Sequence, residues 1–561
     1  VRYRFASIVL YLSPVASALF CVSRYSNIPL TITLFIMTGS IFSSVLLWAV
    51  LVGPAVYLFG LAIYRIYFHP LARYPGPLLG KVTDLYSAYH AWKGDRHLEF
   101  WRCHEKYGPI VRFGPSSLSF NSSTALKEIY GFKANVRKGD FYTAFWAAKD
   151  AYSTHSAIDR TAHARKRRVL AQGFSDHAIK SMENHILAHV RSFCANLGAS
   201  TNLGHTAIEE KGWTPAKNIS DQTNYMAFDV MGDLCFGKAF GMLERPDNRF
   251  AIDLISNATK RHLICGTYLP IHEYHLDKLL FRNIAAGRQR YMQYSKAQVA
   301  ERTKSGLDVD RKDFFYHLLK AKDPESGKGF APAELWGESN LLIIAGSDTT
   351  STALAAAFFY LTHNPSTLQK LTAEIRSAFT DVEEIAIGPT ISGLQYLRAC
   401  IDEAMRLSPS VGGLLPRQVL HGGMEVEGKF IPEGTIVGVP HYAIHHNPVY
   451  FPEPFQYKPE RWIVGSEPGI TAETVATSQS AFCPFSIGPR GCIGKGMAYV
   501  ELTTALARAV YMYDMRLAPG SHVGEGSPDL EYGRRRPMEF QLQDTFTSIK
   551  NGPLVEFRER R

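Results

Sequence analysis

The sequence lacks the cysteine spacings that would mark a zinc ribbon, a redox motif or a disulfide framework. Its eight cysteines in 561 residues include no C-x-x-C pair, and this absence points to a reducing compartment for the folded part. No lysine-rich tail, finger spacing or RNP-like strand accompanies the formal charge of +10, so the surplus of 61 basic over 51 acidic side chains does not identify a nucleic-acid binder. No internal repeat or long low-complexity linker divides the chain. Charge is itself missing from Tyr25 to Tyr64, forty residues without Asp, Glu, Lys, Arg or His.

A membrane helix needs about 20 such residues, and a core helix rarely runs so far without a polar face. Residues 1–64 are therefore expected to form a hydrophobic region with one or two membrane spans. Upstream, Ala6 to Ser23 follows Arg2 and Arg4 as a second apolar stretch, either signal-like or another span. Residues 65–77 read as a basic, proline-rich hinge, with Arg65, His69 and Arg73 among Pro70, Pro75 and Pro77. Positive charge on this flank favours the cytoplasmic side for the remainder of the chain.

Residues 78–561 fit one large domain. At 46% apolar and 12% aromatic residues the chain has enough surface to bury a core. Helical patterns run over 163–171, 332–362 and 394–407, and strand-like stretches over 110–113 and 423–430 are short. The fold class expected is mainly α with small β-sheets (α+β).

The chemistry concentrates near the carboxyl end, in Phe485-Ser486-Ile487-Gly488-Pro489-Arg490-Gly491-Cys492-Ile493-Gly494. Glycines around Cys492 let the backbone turn tightly and approach a flat ligand. The next stretch looks helical, so the sulfur stands at a helix amino terminus, where unpaired N–H groups favour a thiolate. Phe485 is placed to pack on the sulfur side of a macrocycle, and Arg490 to meet a carboxylate. The pattern F-x-x-G-x-R-x-C-x-G resembles the cysteine-ligand loop of the cytochrome P450 superfamily, the haem-thiolate monooxygenases.

Further motifs fall in the family's order. Glu403 and Arg406 lie three apart on one helix face, and the resemblance joins them to Arg461 in a buried network. Ala345-Gly346-Ser347-Asp348-Thr349-Thr350 interrupts a long apolar helix with small and polar residues, which invite a local widening of the helix. The family likeness gives Asp348 and Thr349 the delivery of protons to dioxygen. His163-x-x-x-Arg167 stands where the family often has W-x-x-x-R, and filamentous-fungal members often carry His there. It and Arg417 are haem-propionate candidates, with Gly488 and Gly494 shaping the loop. Two histidine pairs, His272/His275 and His441/His445, lack a third ligand and read as surface or loop residues.

The resemblance implies haem b with an axial Cys492 thiolate, a membrane location at the endoplasmic reticulum, and insertion of one atom of O2 into a lipophilic molecule. Phe141, Tyr142, Phe145 and Trp146, with Ala345 and Gly346, Val411, Gly412, Gly413, Leu414 and Leu415, and Ser548 and Ile549, are the expected substrate contacts. No G-x-G-x-x-G fingerprint opens a helix, so electrons are expected from a separate NADPH-dependent flavin reductase, with cytochrome b5 as a further partner. The basic run Arg165 to Arg168 is a candidate docking face. The Tyr64 to Pro77 segment resembles fungal enzymes of polyketide, terpenoid or alkaloid metabolism. An aromatic-acid hydroxylase, a haem-thiolate isomerase or dehydratase, and a non-catalytic haem carrier are the competing readings.

Overall fold

The computed structural model describes residues 52–199, 212–304, 306 and 312–560. The chain divides into two compact units, Val1–Ala72 and Arg73–Arg561. Of the first, the described part is an apolar helix, Val52–Phe68; most of the uncharged run from Tyr25, and the apolar stretch before it, lie outside the described residues.

The second unit is mostly helical. Its labelled helices are α1 (Arg160–Ala171), α2 (Asp176–Gly198), α3 (Ile219–Phe236), α4 (Phe250–Thr267), α5 (Arg282–Lys304), α6 (Pro332–His363), α7 (Gln395–Leu407), α8 (His441–His445) and α9 (Lys495–Met512). Helix α6 starts with Pro332 in its first turn, where the missing N–H costs nothing, and Glu334 accepts from the Ala331 N–H at 3.0 Å. It stops at Asn364-Pro365 because proline disfavours the helical conformation before it. Every residue from Thr350 to Thr362 is buried. An all-round apolar helix has to be enclosed, and α6 packs among α3, α5, α7 and α9. It is the one described helix long and apolar enough to cross a membrane, and here it is the axis of the core.

Strands β1 (Ile110–Gly114), β2 (Ser117–Phe120), β3 (Val136–Lys138), β5 (Arg417–Val419) and β8 (Ile436–Gly438) form a five-stranded sheet in the order β1-β2-β8-β5-β3. Only β2 and β8 run parallel. Between them in sequence, β6 (Met424–Val426) and β7 (Lys429–Ile431) make a hairpin where one strand was expected over 423–430; Gly428, at φ +68°, turns the chain. Strand β4 (Lys217–Asn218) joins β12 (Leu554–Glu559) and β9 (Tyr513–Leu517), while β10 (Leu542–Thr545) and β11 (Thr547–Lys550) form a hairpin against α6.

One buried carboxylate fastens α7 to the segment leading toward the cysteine loop. Glu403 is fully buried; Arg406 donates to both its oxygens at 2.8 and 2.9 Å, Arg461 Nε donates at 2.9 Å and Trp462 Nε1 at 3.0 Å. Burial alone would raise this carboxyl's pKa, but Arg406 and Arg461 outweigh it and hold the group below its ordinary value. Removing one partner strands a buried charge. Glu403→Ala is therefore expected to cost about 3–5 kcal/mol, seen as a collapse in soluble yield and thermal midpoint. Because the folded pKa is depressed, the contribution of Glu403 is present above the ordinary range near 4.5 and is lost as pH falls through the folded value. The gap between wild type and variant should narrow on acidification.

Candidate functional site

A cavity of about 300 Å³ lies between α6 and the loop preceding α9. The loop folds as it does because Ser486 (φ +54°) and Gly488 (φ +70°) take left-handed conformations. A Cβ on Gly488 would stand 2.0 Å from the Tyr130 carbonyl oxygen, so only glycine fits. The Gly491 N–H then closes onto the Gly488 carbonyl at 3.0 Å and the Cys492 N–H onto the Phe485 carbonyl at 2.8 Å. Gly494 caps α9, and a Cβ added to it would stand 3.9 Å from the Cys492 sulfur.

Cys492 opens into this cavity, whereas the other described cysteines are buried. Surrounding protein raises its thiol pKa, against a Gly494 backbone hydrogen bond and the charges of Arg167 and Lys495. A thiol in that balance is poised for a metal cation, which deprotonates a coordinating thiol outright. Beneath it the Phe485 ring packs against Tyr499, 5.2 Å between centroids.

Around the rim stands a cluster of cations with almost no acid. Lys138 and Arg417 are direct cross-strand partners on β3 and β5, both buried; like charges placed so are destabilising. Burial, then Arg417 and Arg490, push Lys138 well down. His155 is driven down by burial and by Lys138, Arg417 and Arg490; His163 falls to about 3 from burial and Arg490; and Arg490 falls to about 10. Arg417 is the leading charge that opposes Arg490, and Tyr142 and Asp159 act the other way. Arg490 donates to the Ala157 and Ile158 carbonyls, Arg167 to the Gly491 carbonyl at 2.6 Å, and Arg417 to the Pro416 carbonyl at 3.2 Å. Basic side chains with little opposing acid, beside a thiol that opens into the same cavity, match the two carboxylates and the iron of a haem, so the residues present fit that group. Lys138 and His155 carry no motif. Lys138 becomes legible only through the β3–β5 register, and His155 only through the fold of the loop before α1.

Across the cavity, α6 runs as an uninterrupted α-helix where a widened turn was expected. Gly346 does not open a groove: a Cβ there would lie 2.5 Å from the Met231 sulfur, so its smallness admits α3. Ala345 is the exposed position, and the Thr349 hydroxyl donates back to its carbonyl at 2.5 Å. Asp348 Oδ2 accepts from Thr547 Oγ1 at 3.0 Å, not from Thr349.

Of the expected substrate contacts, Phe145, Ala345, Gly346, Val411 and Leu415 line the cavity. Others do not. Phe141 and Tyr142 pack into a core with Leu263 and Ile264; Trp146 donates to the Ser156 carbonyl; Leu414 packs between Phe100 and Phe113. Gly412 faces His97 and Gly413 faces Asp544, the glycines serving close packing and not ligand space. Ser548 and Ile549 sit in β11, where Phe546 and Thr547 reach the cavity instead.

Two further expectations need correction. His441 and His445 are buried in α8, not on the surface; His445 Nε2 accepts from the Cys483 N–H at 3.0 Å while its carbonyl takes Arg406 Nη1 at 2.8 Å. Arg165 to Arg168 is no free docking face. Arg165 pairs with Glu334, Lys166 is fully buried 3.1 Å from Glu334, and Arg168 pairs with Asp323 at 2.7 Å.

Comparisons with known proteins agree with this site. The family model described as Cytochrome P450 matches residues 70–529. The chain is 40% identical to the Cytochrome P450 monooxygenase AKT7 of Alternaria alternata, covering 90% of this chain and 95% of the relative. It is also 40% identical to the Cytochrome P450 monooxygenase atnE of Emericella nidulans, covering 91% and 97%. The fold of the crystal structure of the cytochrome P450DA heme domain matches with a TM-score of 0.65 at 18% identity, over 83% of this chain and 94% of that one. The chain belongs to the cytochrome P450 family. It is a monooxygenase, and membership implies a haem held by a cysteine thiolate.

The unbalanced cations yield a prediction. Lys138→Met removes a buried amine whose charged form is disfavoured by burial, Arg417 and Arg490, so the haem-free protein should gain thermal stability. The same variant should release haem faster, by about tenfold, measured by transfer to a scavenging apo-globin. The opposite signs separate a haem-carboxylate role from a structural one.

Proposed function

We propose that the chain is a membrane-anchored, haem-thiolate monooxygenase that hydroxylates a lipophilic small molecule of fungal secondary metabolism. The observation that carries this is the accessible sulfur of Cys492 in one cavity with Ala345 and Thr349 of α6, beneath apolar walls from Phe145, Ile344, Val411 and Leu415. An apolar lining with few polar groups suits a lipophilic ligand.

Cys492 would hold the iron, with Phe485, packed on Tyr499, beside the sulfur; Arg490, Arg417, Arg167 and His163, with Lys138 and His155, would hold the carboxylates. The haem supplies the activation of dioxygen, favoured by electron donation from the thiolate. Asp348 and Thr349 move protons into the cavity. In the present arrangement Thr349 must release the Ala345 carbonyl before its hydroxyl can relay one, a single χ1 rotation. Asp348 is suited to the donor's part because burial, against the opposing influence of Lys550 and the Thr547 hydrogen bond, raises its pKa and so favours its protonated form.

Electrons come from a separate NADPH-dependent flavin reductase, with cytochrome b5 as a second donor. The approach of the reductase is assigned to the open groove of about 780 Å³ beside Phe485, where Lys495 provides positive charge and Arg398 is paired with Asp402 at 2.9 Å. This replaces the Arg165 to Arg168 run, whose charges are already used. The uncharged sequence from Tyr25 to Tyr64 supports anchoring in the endoplasmic reticulum membrane, with the catalytic unit in the cytoplasm.

Two measurements test the reading. Cys492→Ser should fold and still lose the long-wavelength reduced-carbonyl absorption that marks thiolate ligation; an unchanged spectrum would put the ligand elsewhere. Thr349→Ala and Asp348→Asn should keep haem and substrate binding while product formed per NADPH falls on the order of a hundredfold, with hydrogen peroxide rising in its place. Fully coupled turnover in both would remove the pair from the proton route.

A further inference from the structure

The acid of the central helix takes its partners from the far end of the chain. Thr547, on β11, donates to Asp348 Oδ2 at 3.0 Å. Three residues on, the same strand delivers Lys550, whose Nζ donates to Ser351 Oγ on α6 at 2.7 Å and to Asn224 Oδ1 on α3 at 2.6 Å. Thr352 Oγ1 ties the hairpin again by donating to the Ser548 carbonyl at 3.3 Å. The hairpin is thus held in register along Asp348 to Thr352.

Both hydrogen-bond partners of the Lys550 ammonium are neutral. The charges that act on it are Asp348 from α6 and Asp221 from α3; burial draws its pKa down to about 8 against both. In return, Lys550 is the leading influence that opposes the burial of Asp348, ahead of the Thr547 hydrogen bond. The other titratable group facing Asp348 is Tyr291 on α5, whose own buried hydroxyl is pushed up. Arg249 and Lys550 both act on Asp221.

A lysine in direct ion pairing would hold the carboxylate away from the cavity and lose its own partner each time Asp348 took a proton. Clamped instead by Asn224 and Ser351, the ammonium keeps its place whichever state Asp348 is in. We propose that Lys550 is the positioning residue for Asp348: held by Asn224 and Ser351, it locks β11 against α6 while Thr547 aims the carboxylate, so that the C-terminal hairpin completes the acid of the site. The inference rests on the reading of Asp348 as the proton donor.

The first test tracks Lys550 itself, in the holoenzyme, by competitive acetylation across pH with mass-spectrometric readout. In wild type its half-reactivity should fall near pH 8, well below that of surface lysines. In Asp348→Asn, with the stabilising carboxylate gone, the midpoint should move lower. The second test uses reductase-driven turnover. Removing the positive charge raises the Asp348 pKa, so the alkaline limb of the coupling profile in Lys550→Met, where the donor loses its proton, should move to higher pH, on the order of one unit, and Lys550→Arg should restore it. A Lys550 titration indifferent to Asp348→Asn, or an alkaline limb unmoved in Lys550→Met, overturns the inference. Wild-type protein that binds haem yet consumes no NADPH with reductase overturns the underlying reading instead.

Discussion

The buried carboxylate of Glu403 is the constraint on which the site depends. A lone charge in that position would be prohibitive, and it persists because two guanidinium groups, an indole N–H and the Lys458 backbone N–H satisfy it together. Arg406 then directs its remaining donors to the carbonyls of His445, Pro454 and Gln456. From His445 the chain of contacts continues through its imidazole to the Cys483 N–H, nine residues before Cys492. Burial drives His445 well below its ordinary pKa, so the ring stays neutral and can accept that N–H. A helix-borne ion pair is in this way transmitted to the root of the cysteine loop, and it fixes the position of the sulfur.

At the opposite side of the cavity the electrostatics run the other way. There the cations are left without counter-charge, at a cost in stability that folding elsewhere offsets. The pairing of β3 with β5 forces Lys138 and Arg417 together, and they press in turn on His155, in the loop before α1, and His163, within α1, whose imidazoles are driven well below their ordinary pKa. Proteins rarely bury such an imbalance unless a ligand completes it. The satisfied network and the unbalanced one divide the work: the first holds the loop through contacts within the protein, and the second would be stabilised by a ligand that carries two carboxylates.

The parts of the site visible in the sequence are those packed into contiguous motifs. Cys492 with its glycines, Glu403 with Arg406, and Asp348 with Thr349 each form a short local pattern, so spacing carries their meaning. Helix boundaries are legible for the same reason: Pro332 and Asn364-Pro365 mark the ends of α6 directly. What the sequence hides depends on long-range register. Lys138 meets Arg417, from the other half of the chain, only because β3 pairs with β5. His445 reads as a loop residue since nothing local to it announces burial. Gly412 and Gly413 read as ligand space, although a glycine reports only that something comes close, and here it is His97 and Asp544. The run Arg165 to Arg168 misleads because the acids that consume it, Asp323 and Glu334, lie on other elements.

The same distinction bears on how one fold can serve many substrates. Cys492, Glu403 and Arg406 are fixed by contacts that no substrate touches, whereas the cavity walls come from segments with independent anchors: the loop around Phe145, the turn at Val411 and Leu415, and the hairpin at Phe546 and Thr547. The Phe145 ring lies 4.8 Å from Phe546 and 4.7 Å from His262 of α4, so three segments distant in sequence meet at the cavity through aromatic contact. Such contacts tolerate exchange of one ring for another shape with a local cost, while the carboxylate network below tolerates none. Variation in substrate is therefore available at the roof of the cavity without disturbing its floor, and the C-terminal hairpin is the one roof element that also reaches the acid of α6 through Thr547.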